Sequence, residues 1–226
     1  MAEYSKSTRP SPERIWILGA GHFGSVACKR LTRRYAQAEF LVIDSDRERL
    51  AKIEQKFGLQ VYLGEAISCI TTRLPASNVW LIPAIPIHVA FQWLLNELRR
   101  TSDVEQIDVP QVIDQEVPNP FRINSKTLYT SFATFVCPDV CNEPDDLCTY
   151  TGKPRPGDLS HTLSQMQAPG FSMALIRSWQ LAPGVGGYTA GDLMAMANRI
   201  KMNAGSYLVA TSCRCHGVID ALRVDG

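Results

Sequence analysis

The sequence lacks a charge imbalance and a long apolar run, and each absence excludes a class of protein. Its 226 residues carry 23 Lys and Arg against 22 Asp and Glu, which gives a formal net charge of +1. A protein that binds a polyanion through bulk charge needs a larger basic excess, so we expect no nucleic-acid partner. The most apolar stretch, residues 79–95, is interrupted by prolines, His88 and Gln92. We therefore expect a strand, a turn and a helix there, and no membrane span.

Targeting signals and several catalytic motifs are also missing. Residues 1–14 are polar, contain two prolines and show no apolar signal-peptide core, which predicts a cytoplasmic protein. The sequence has no P-loop, no His-Glu-x-x-His motif and no hydrolase triad order, so kinase and hydrolase functions fit poorly. Hydrophobic residues make up 45% of the chain and charged residues 20%, a composition that supports a packed core.

The first feature that is present is a strand, a glycine-rich turn and a helix. An apolar run at residues 14–18 leads into the loop Gly-Ala-Gly-His-Phe-Gly at residues 19–24, and an amphipathic helical pattern follows. Gly19 permits a tight turn, Gly21 lets the backbone approach a pyrophosphate, and Gly24 lets the helix pack closely on the strand. The free N–H groups at the start of that helix would then face phosphates.

An acidic residue completes this pattern. The apolar run at residues 40–43 ends in Asp44, where a carboxylate can accept hydrogen bonds from both ribose hydroxyls and repel a 2′-phosphate. This favours NAD, although Arg47 and Arg49 leave NADP open. The alternative is a Rossmann fold that has lost its nucleotide or binds another adenosine-containing ligand. The predicted nucleotide contacts are Gly19, Gly21, His22, Phe23, Gly24, Asp44 and Ser45.

Alternating strands and helices predict an α/β fold, a Rossmann-like doubly wound parallel sheet with a Cys-rich C-terminal lobe. Ser45 and Glu48 are predicted to form a capping box at the next helix. Strands are expected at residues 60–63, 78–82 and 111–113, and a helix at 87–100. We expect three parts: a flexible N-terminus (1–13), a dinucleotide-binding domain (14–118) and a Cys-rich metal-binding lobe (119–226).

The first half resembles the N-terminal nucleotide-binding domain of TrkA-type potassium-transport regulators and, more loosely, NAD-dependent dehydrogenases. Residues 17–24 and 42–46 carry the similarity, which covers about the first 65 residues. It implies that the three loop glycines and Asp44 contact the nucleotide, but it does not by itself imply a role in transport. Gly-Glu-Ala at residues 64–66 matches the family's usual Gly-Asp-Ala only partly, and the second half departs entirely.

Five of the seven cysteines fall in two short segments of the second half. These are Cys137, Cys141 and Cys148 in the first segment, and Cys213 and Cys215 in the second. Each segment follows a predicted strand, and prolines and acids hold the first one open so that its thiols can converge. Because no export signal is present, free thiols or metal ligands are favoured over a disulfide framework.

Three interpretations of these thiols remain open. An iron–sulfur cluster could be ligated by the first segment together with Cys213 or Cys215. A structural zinc could be held by four thiolates, or by three thiolates and His216. The thiols could also bind no metal and be buried or form a redox pair. Their spacing matches no standard ferredoxin or zinc-finger pattern.

A second glycine-rich segment, residues 183–189, precedes a predicted helix at 190–202. We interpret it as a flexible connection with a helix cap, and the alternative is a second anion or substrate site at the start of that helix.

Two function classes follow from these features. The first is an NAD(H)-binding redox protein or oxidoreductase that carries an iron–sulfur or zinc site. A hydride carries two electrons and a cluster usually takes one, so direct transfer would need a flavin, for which no separate motif is visible. The second is a TrkA-like regulatory module that senses nucleotide, with a structural metal site and no catalysis. The expected partners are the dinucleotide and either another protein or a second copy of the chain.

Overall fold

The computed structural model describes residues 11–73 and 75–225, so most of the predicted flexible segment 1–13 lies outside it. The first of two sheets contains β1 (Arg14–Leu18), β2 (Glu39–Asp44), β3 (Gln60–Leu63), β4 (Trp80–Pro83), β9 (Trp179–Ala182) and β10 (Val185–Thr189). The second contains β5 (Val104–Ile107), β6 (Phe121–Arg122), β7 (Thr127–Ser131), β8 (Phe171–Arg177), β11 (Gly205–Ser212) and β12 (His216–Val224). The helices are α1 (His22–Arg34), α2 (Arg47–Phe57), α3 (Ala66–Thr72), α4 (Val89–Leu98), α5 (Leu159–Gln165) and α6 (Ala190–Lys201).

The first sheet confirms the predicted Rossmann-like α/β fold. Its strand order is β3-β2-β1-β4-β10-β9, and the first four strands are parallel. Strand β10 joins β4 in the antiparallel direction, so the second half of the chain completes this sheet. Because the strand order reverses between β1 and β4, a crevice forms at the carboxyl ends of these two strands.

Successive side chains of each strand point to opposite faces of the sheet, so the core is divided into layers. One face of the first sheet, including Ile17 and Val42, packs against α1 and α2. The other face, including Leu18 and Ile43, packs against α3, α4 and α6, which separate the two sheets. Helix α5 covers the far face of the second sheet, where Leu159 and Leu163 are fully buried.

The glycine-rich segment at residues 183–189 is not the flexible connection that we expected. Residues Val185–Thr189 form β10, which pairs with β4 and β9. A Cβ on Gly187 would lie 2.6 Å from the backbone oxygen of Leu81. Glycine is therefore required there because two backbones approach closely, not because the segment bends freely.

Two further local predictions were wrong. The strand expected at residues 111–113 is a 3-10 helix, Gln111–Gln115, in which Ile113 N bonds to the oxygen of Pro110. The residue that caps α2 is Asp46, whose carboxylate accepts hydrogen bonds from the backbone N–H groups of Glu48 and Arg49. Ser45 is one residue too early for this role, because β2 ends at Asp44 and the chain turns at residue 45.

No helix within residues 11–73 and 75–225 has both the length and the apolar character needed to cross a membrane.

Candidate functional site

The glycine loop has the geometry that its sequence predicts. Gly19 has φ +112°, a backbone conformation that favours glycine, and its N–H donates to the oxygen of Ile43 at 2.7 Å. A Cβ on Gly24 would lie only 1.9 Å from the oxygen of Gly19. Both glycines are therefore required by close packing between β1, α1 and their neighbours.

Gly21 has a different environment from the other two glycines. It caps α1 without a side-chain hydrogen bond, and the first turn of α1 contains no acidic residue. A Cβ on Gly21 would meet no atom closer than Nη1 of Arg49, at 3.8 Å. The start of α1 is thus open toward the crevice, with its backbone N–H groups and positive dipole end available to an anion.

The Asp44 carboxylate lies against this loop and is 8% exposed. Its Oδ2 accepts the backbone N–H of Ala20 at 2.6 Å, and its Oδ1 accepts that of Asp46 at 2.8 Å. Each carboxylate oxygen has two lone pairs, so both can accept a further hydrogen bond. His22, Phe23 and Ser45 are exposed beside it. The structure therefore brings all seven predicted contact residues to the carboxyl ends of β1 and β2.

A cavity of about 570 Å³ opens beside Gly21 and His22. Its other wall is helix α2, which contributes Arg49, Lys52 and Lys56. Since the groups that line it carry positive charge, the cavity suits an anionic ligand.

The two cysteine segments meet in the tertiary structure. The guanidinium of Arg155 donates through Nη1 to the Sγ of Cys215 and through Nη2 to the Sγ of Cys141, the latter at 3.9 Å. Leu159 N, at the start of α5, also bonds to the oxygen of Arg214 at 2.8 Å, which fixes the start of that helix to the second segment. One cation therefore bridges sulfurs from both segments.

Hydrogen bonds from the chain reach several of these sulfurs. The Sγ of Cys213 accepts the N–H groups of Cys215 at 3.5 Å and His216 at 3.4 Å. The Sγ of Cys141 accepts the N–H of Glu143 at 3.4 Å. Hydrogen bonds from the Thr151 hydroxyl and nearby backbone N–H groups lower the pKa of Cys148. Such bonds favour the thiolate form, which is the form that binds metals.

The charges of the thiols also interact. Burial raises the pKa of Cys137, and the neighbouring Cys141 and Cys148 raise it further. Burial raises the pKa of Cys215 as well, although Arg155 opposes this effect. In the described ranges, however, no three His, Cys, Asp or Glu side chains are arranged so that they could hold a metal ion.

The first cysteine segment is fixed to the first sheet. The oxygen of Cys141 accepts hydrogen bonds from the N–H of Gly184, at 2.9 Å, and from the Gln180 side chain. On the other side, Arg30 of α1 donates to the oxygens of Asp139 at 2.6 Å and Pro183 at 2.7 Å. The first cysteine segment consequently lies beside the turn between β9 and β10, next to the sheet that carries the glycine loop.

Sequence reasoning missed one arrangement, a hydrogen-bonded chain of Asp220, His88 and Thr211. His88 Nδ1 lies 2.7 Å from Asp220 Oδ2, and His88 Nε2 lies 2.8 Å from Thr211 Oγ1. The partners are 132 and 123 residues from His88 along the chain. No local motif connects them, so the sequence contained no signal of this arrangement.

The fold and loop define a Rossmann-like nucleotide-binding domain at the start of the chain. Residues 15–71 match the TrkA-N domain, which confirms the resemblance seen in the sequence. Residues 90–225, more than half of the chain, match the family model AF_1314_C, described as "Uncharacterized protein, C-terminal domain", and the chain belongs to this family. The chain is also 26% identical over 219 residues to an "Uncharacterized protein" of Archaeoglobus fulgidus, covering 92% of this chain and 98% of that relative.

Proposed function

We propose that the protein binds NAD(H) in the crevice at the carboxyl ends of β1 and β4, and that it has a redox role together with a thiolate metal centre. The observation that carries the first part is the open start of α1 at Gly21 with the Asp44 carboxylate lying against the same loop. The residues proposed to contact the dinucleotide are Gly19, Gly21, His22, Phe23, Gly24, Asp44 and Ser45.

The charges around the loop support a dinucleotide over an uncharged ligand. The start of α1 and the cations of α2 favour phosphates. The remaining lone pairs of Asp44 would accept ribose hydroxyls, which favours NAD(H). Arg49 lies close enough to Gly21 to oppose this preference, because a guanidinium there also attracts a 2′-phosphate.

The proposed metal centre is an iron–sulfur cluster, with zinc as the alternative, ligated by Cys137, Cys141, Cys148 and one of Cys213 and Cys215. These side chains would have to move closer together, because the described residues are not arranged to hold an ion. The support is the convergence of the two segments and the N–H groups that point at sulfurs, since such bonds surround thiolate metal sites. Cys215 is the better fourth ligand, because the guanidinium of Arg155 contacts both its sulfur and that of Cys141. The nearby charge of Arg155 would offset the negative charge of the thiolates.

Calorimetric titration of the full chain with NADH and NADPH tests the dinucleotide site. We expect saturable binding, tighter for NADH, and a loss of at least about tenfold in affinity for Asp44→Ala. Glu39→Ala is the control, because this exposed carboxylate lies at the opposite end of β2 and pairs with Arg14. Absence of saturable heat with either dinucleotide would overturn the proposal.

Anaerobic purification followed by absorption spectroscopy and metal and sulfide analysis tests the thiol centre. Iron with acid-labile sulfide identifies a cluster, and zinc alone identifies a structural site. Cys215→Ser should lose the metal and Cys213→Ser should retain it. Protein without either metal after anaerobic purification would leave only thiols and refute this part of the proposal.

A regulatory module without catalysis is the second candidate, and one observation favours it. Helix α1 carries both the start of the nucleotide site and Arg30, which contacts the cysteine segment. A ligand at the loop could therefore shift that segment. Hydrogen exchange of residues 137–142 that slows on NADH binding, in a protein that turns over no substrate, would favour this candidate.

A further inference from the structure

The hydrogen bonds of Asp220, His88 and Thr211 favour one arrangement of their hydrogens. Asp220 is 2% exposed, and its Oδ1 accepts hydrogen bonds from Gln106 Nε2 at 3.1 Å and Thr127 Oγ1 at 2.8 Å. An ionised carboxylate can only accept, so its Oδ2 takes the hydrogen on His88 Nδ1. The Nε2 of neutral His88 then presents its lone pair to the Thr211 hydroxyl.

The three hydrogen-bonded residues differ in their exposure to solvent. Asp220 and His88 are buried, whereas Thr211 is partly exposed. The other groups that face the pair are uncharged: Phe91 stacks on His88 with ring centroids 6.0 Å apart, and Gln106 and Thr127 contact Asp220. A buried carboxylate and imidazole that lead to a partly exposed threonine form a path for a proton.

The two ends of the path follow segments that belong to the two sites already described. His88 closes the loop between β4 and α4, and the same loop contacts Gly19, whose Cβ would lie 2.8 Å from both Ala84 O and Ile85 Cγ2. In a doubly wound sheet, the second half of a dinucleotide lies on the β4 side of the switch point. Thr211 lies near the end of β11, just before the turn that contains Cys213.

We propose that Thr211 is a catalytic residue, and that His88 and Asp220 are positioning residues that pass a proton to it. The substrate would be a carbonyl compound or the corresponding alcohol, with an oxygen that contacts the Thr211 hydroxyl. This inference rests on the proposed binding of NAD(H), because a nicotinamide supplies the hydride when bound.

The step balances in the direction of reduction. As the carbonyl carbon gains a hydride, the electron pair of its C=O bond moves to the oxygen, which takes the proton of Thr211 Oγ. Before the step His88 takes a proton from solvent on Nε2, and it then passes this proton to Thr211 Oγ while its Nδ1 hydrogen stays bonded to Asp220. The products are the alcohol and the oxidised dinucleotide, and His88 is again neutral with its hydrogen on Nδ1. General acid catalysis of this type contributes about 10²–10⁴-fold to a rate.

The kinetic test uses the full chain, NADH and three probes: an aldehyde, a methyl ketone and a 2-oxo acid, each followed by loss of NADH absorbance. We expect turnover of at least one probe. Thr211→Val should lower kcat about 10²–10⁴-fold with little change in KM or NADH affinity, and Thr211→Ser should restore most of the rate. Thr130→Val is the matched control, since that strand threonine bonds to Pro118 instead.

A second readout does not depend on turnover. NMR of isotope-labelled histidine should show His88 with its hydrogen on Nδ1, retained in Thr211→Val and lost in Asp220→Asn. A neutral wild-type His88 with its hydrogen on Nε2 instead of Nδ1 would overturn the relay. NADH binding without oxidation by any of the three probes would overturn the relay and leave the dinucleotide site standing, whereas absence of NADH binding would refute both.

Discussion

The guanidinium of Arg30 donates to the backbone oxygen of Asp139 at 2.6 Å, although the two residues are 109 positions apart. The same guanidinium donates to the oxygen of Pro183, in the turn between β9 and β10. One side chain of the nucleotide-binding half therefore holds both the cysteine segment and the hairpin that the second half adds to the first sheet.

Replacing Arg30 by Ala should release the cysteine segment locally. We expect faster hydrogen exchange at residues 139–142 and a small loss of overall stability, because a hydrogen bond to a charged group contributes about 1.5–3 kcal/mol. Arg33→Ala on the exposed side of the same helix is the control and should leave these rates unchanged. Unchanged exchange in Arg30→Ala would show that the segment is held by other contacts.

Substitutions at two glycines of the loop should affect stability and NADH binding differently. Gly24→Ala places a Cβ 1.9 Å from the oxygen of Gly19, so we expect a loss of about 1–3 kcal/mol in the free energy of unfolding. Gly21→Ala meets only Arg49 at 3.8 Å and should change stability by less than about 0.5 kcal/mol.

Binding of NADH should nevertheless fall at least about tenfold in Gly21→Ala, because its methyl group would occupy the approach of the phosphates. Urea unfolding and calorimetric titration measure the two effects separately. Normal NADH affinity in a folded Gly21→Ala protein would contradict the proposed position of the ligand.

The thiols should differ in reactivity once metal is removed. Hydrogen bonds from Thr151 lower the pKa of Cys148, whereas burial raises that of Cys213 to about 12. In chelator-treated protein at neutral pH, iodoacetamide should therefore modify Cys148 faster than Cys213, as mapped by mass spectrometry.

Thr151→Val should slow the modification of Cys148 by about three- to tenfold. Thr149→Val is a matched control, because that hydroxyl contacts the sulfur of Cys141. Equal rates for Cys148 and Cys213 in the wild type would contradict the structural basis of this order.

Acid should weaken the contact between α5 and β8. Burial tends to raise the pKa of Asp158, but hydrogen bonds from Ser160 and the charges of Arg177 and Arg214 outweigh it and lower the pKa. A carboxyl with a lowered folded pKa stabilises the protein above its unfolded pKa, and this stability is lost as the pH falls through the folded value.

The free energy of urea unfolding should accordingly decrease below about pH 4. Asp158→Asn should be less stable than the wild type at neutral pH and should lose part of this decrease, because the neutral amide does not titrate. An identical pH dependence in the variant and the wild type would count against a role for Asp158.

The sequence was sufficient to predict the nucleotide-binding half because its signals are local. Gly19, Gly24 and Asp44 lie within one β1–α1–β2 unit, and the close approaches at each glycine follow from short-range backbone geometry. The second half was harder to predict. The Gly-rich run at residues 183–189 has the composition of a turn, and pairing with the neighbouring β4 and β9 makes most of it a strand.

The local amino-acid sequence thus determined the Rossmann-like unit, its glycine loop and its carboxylate. Hydrogen-bond geometry and backbone sterics act over only a few residues, so these features depend on near neighbours in the sequence. The tertiary structure decided which distant groups meet: Arg155 with Cys141 and Cys215, and His88 with Asp220 and Thr211. These contacts depend on how two sheets pack around a shared layer of helices. Hydrophobic burial drives that packing without direction, so the sequence pattern alone does not determine its register.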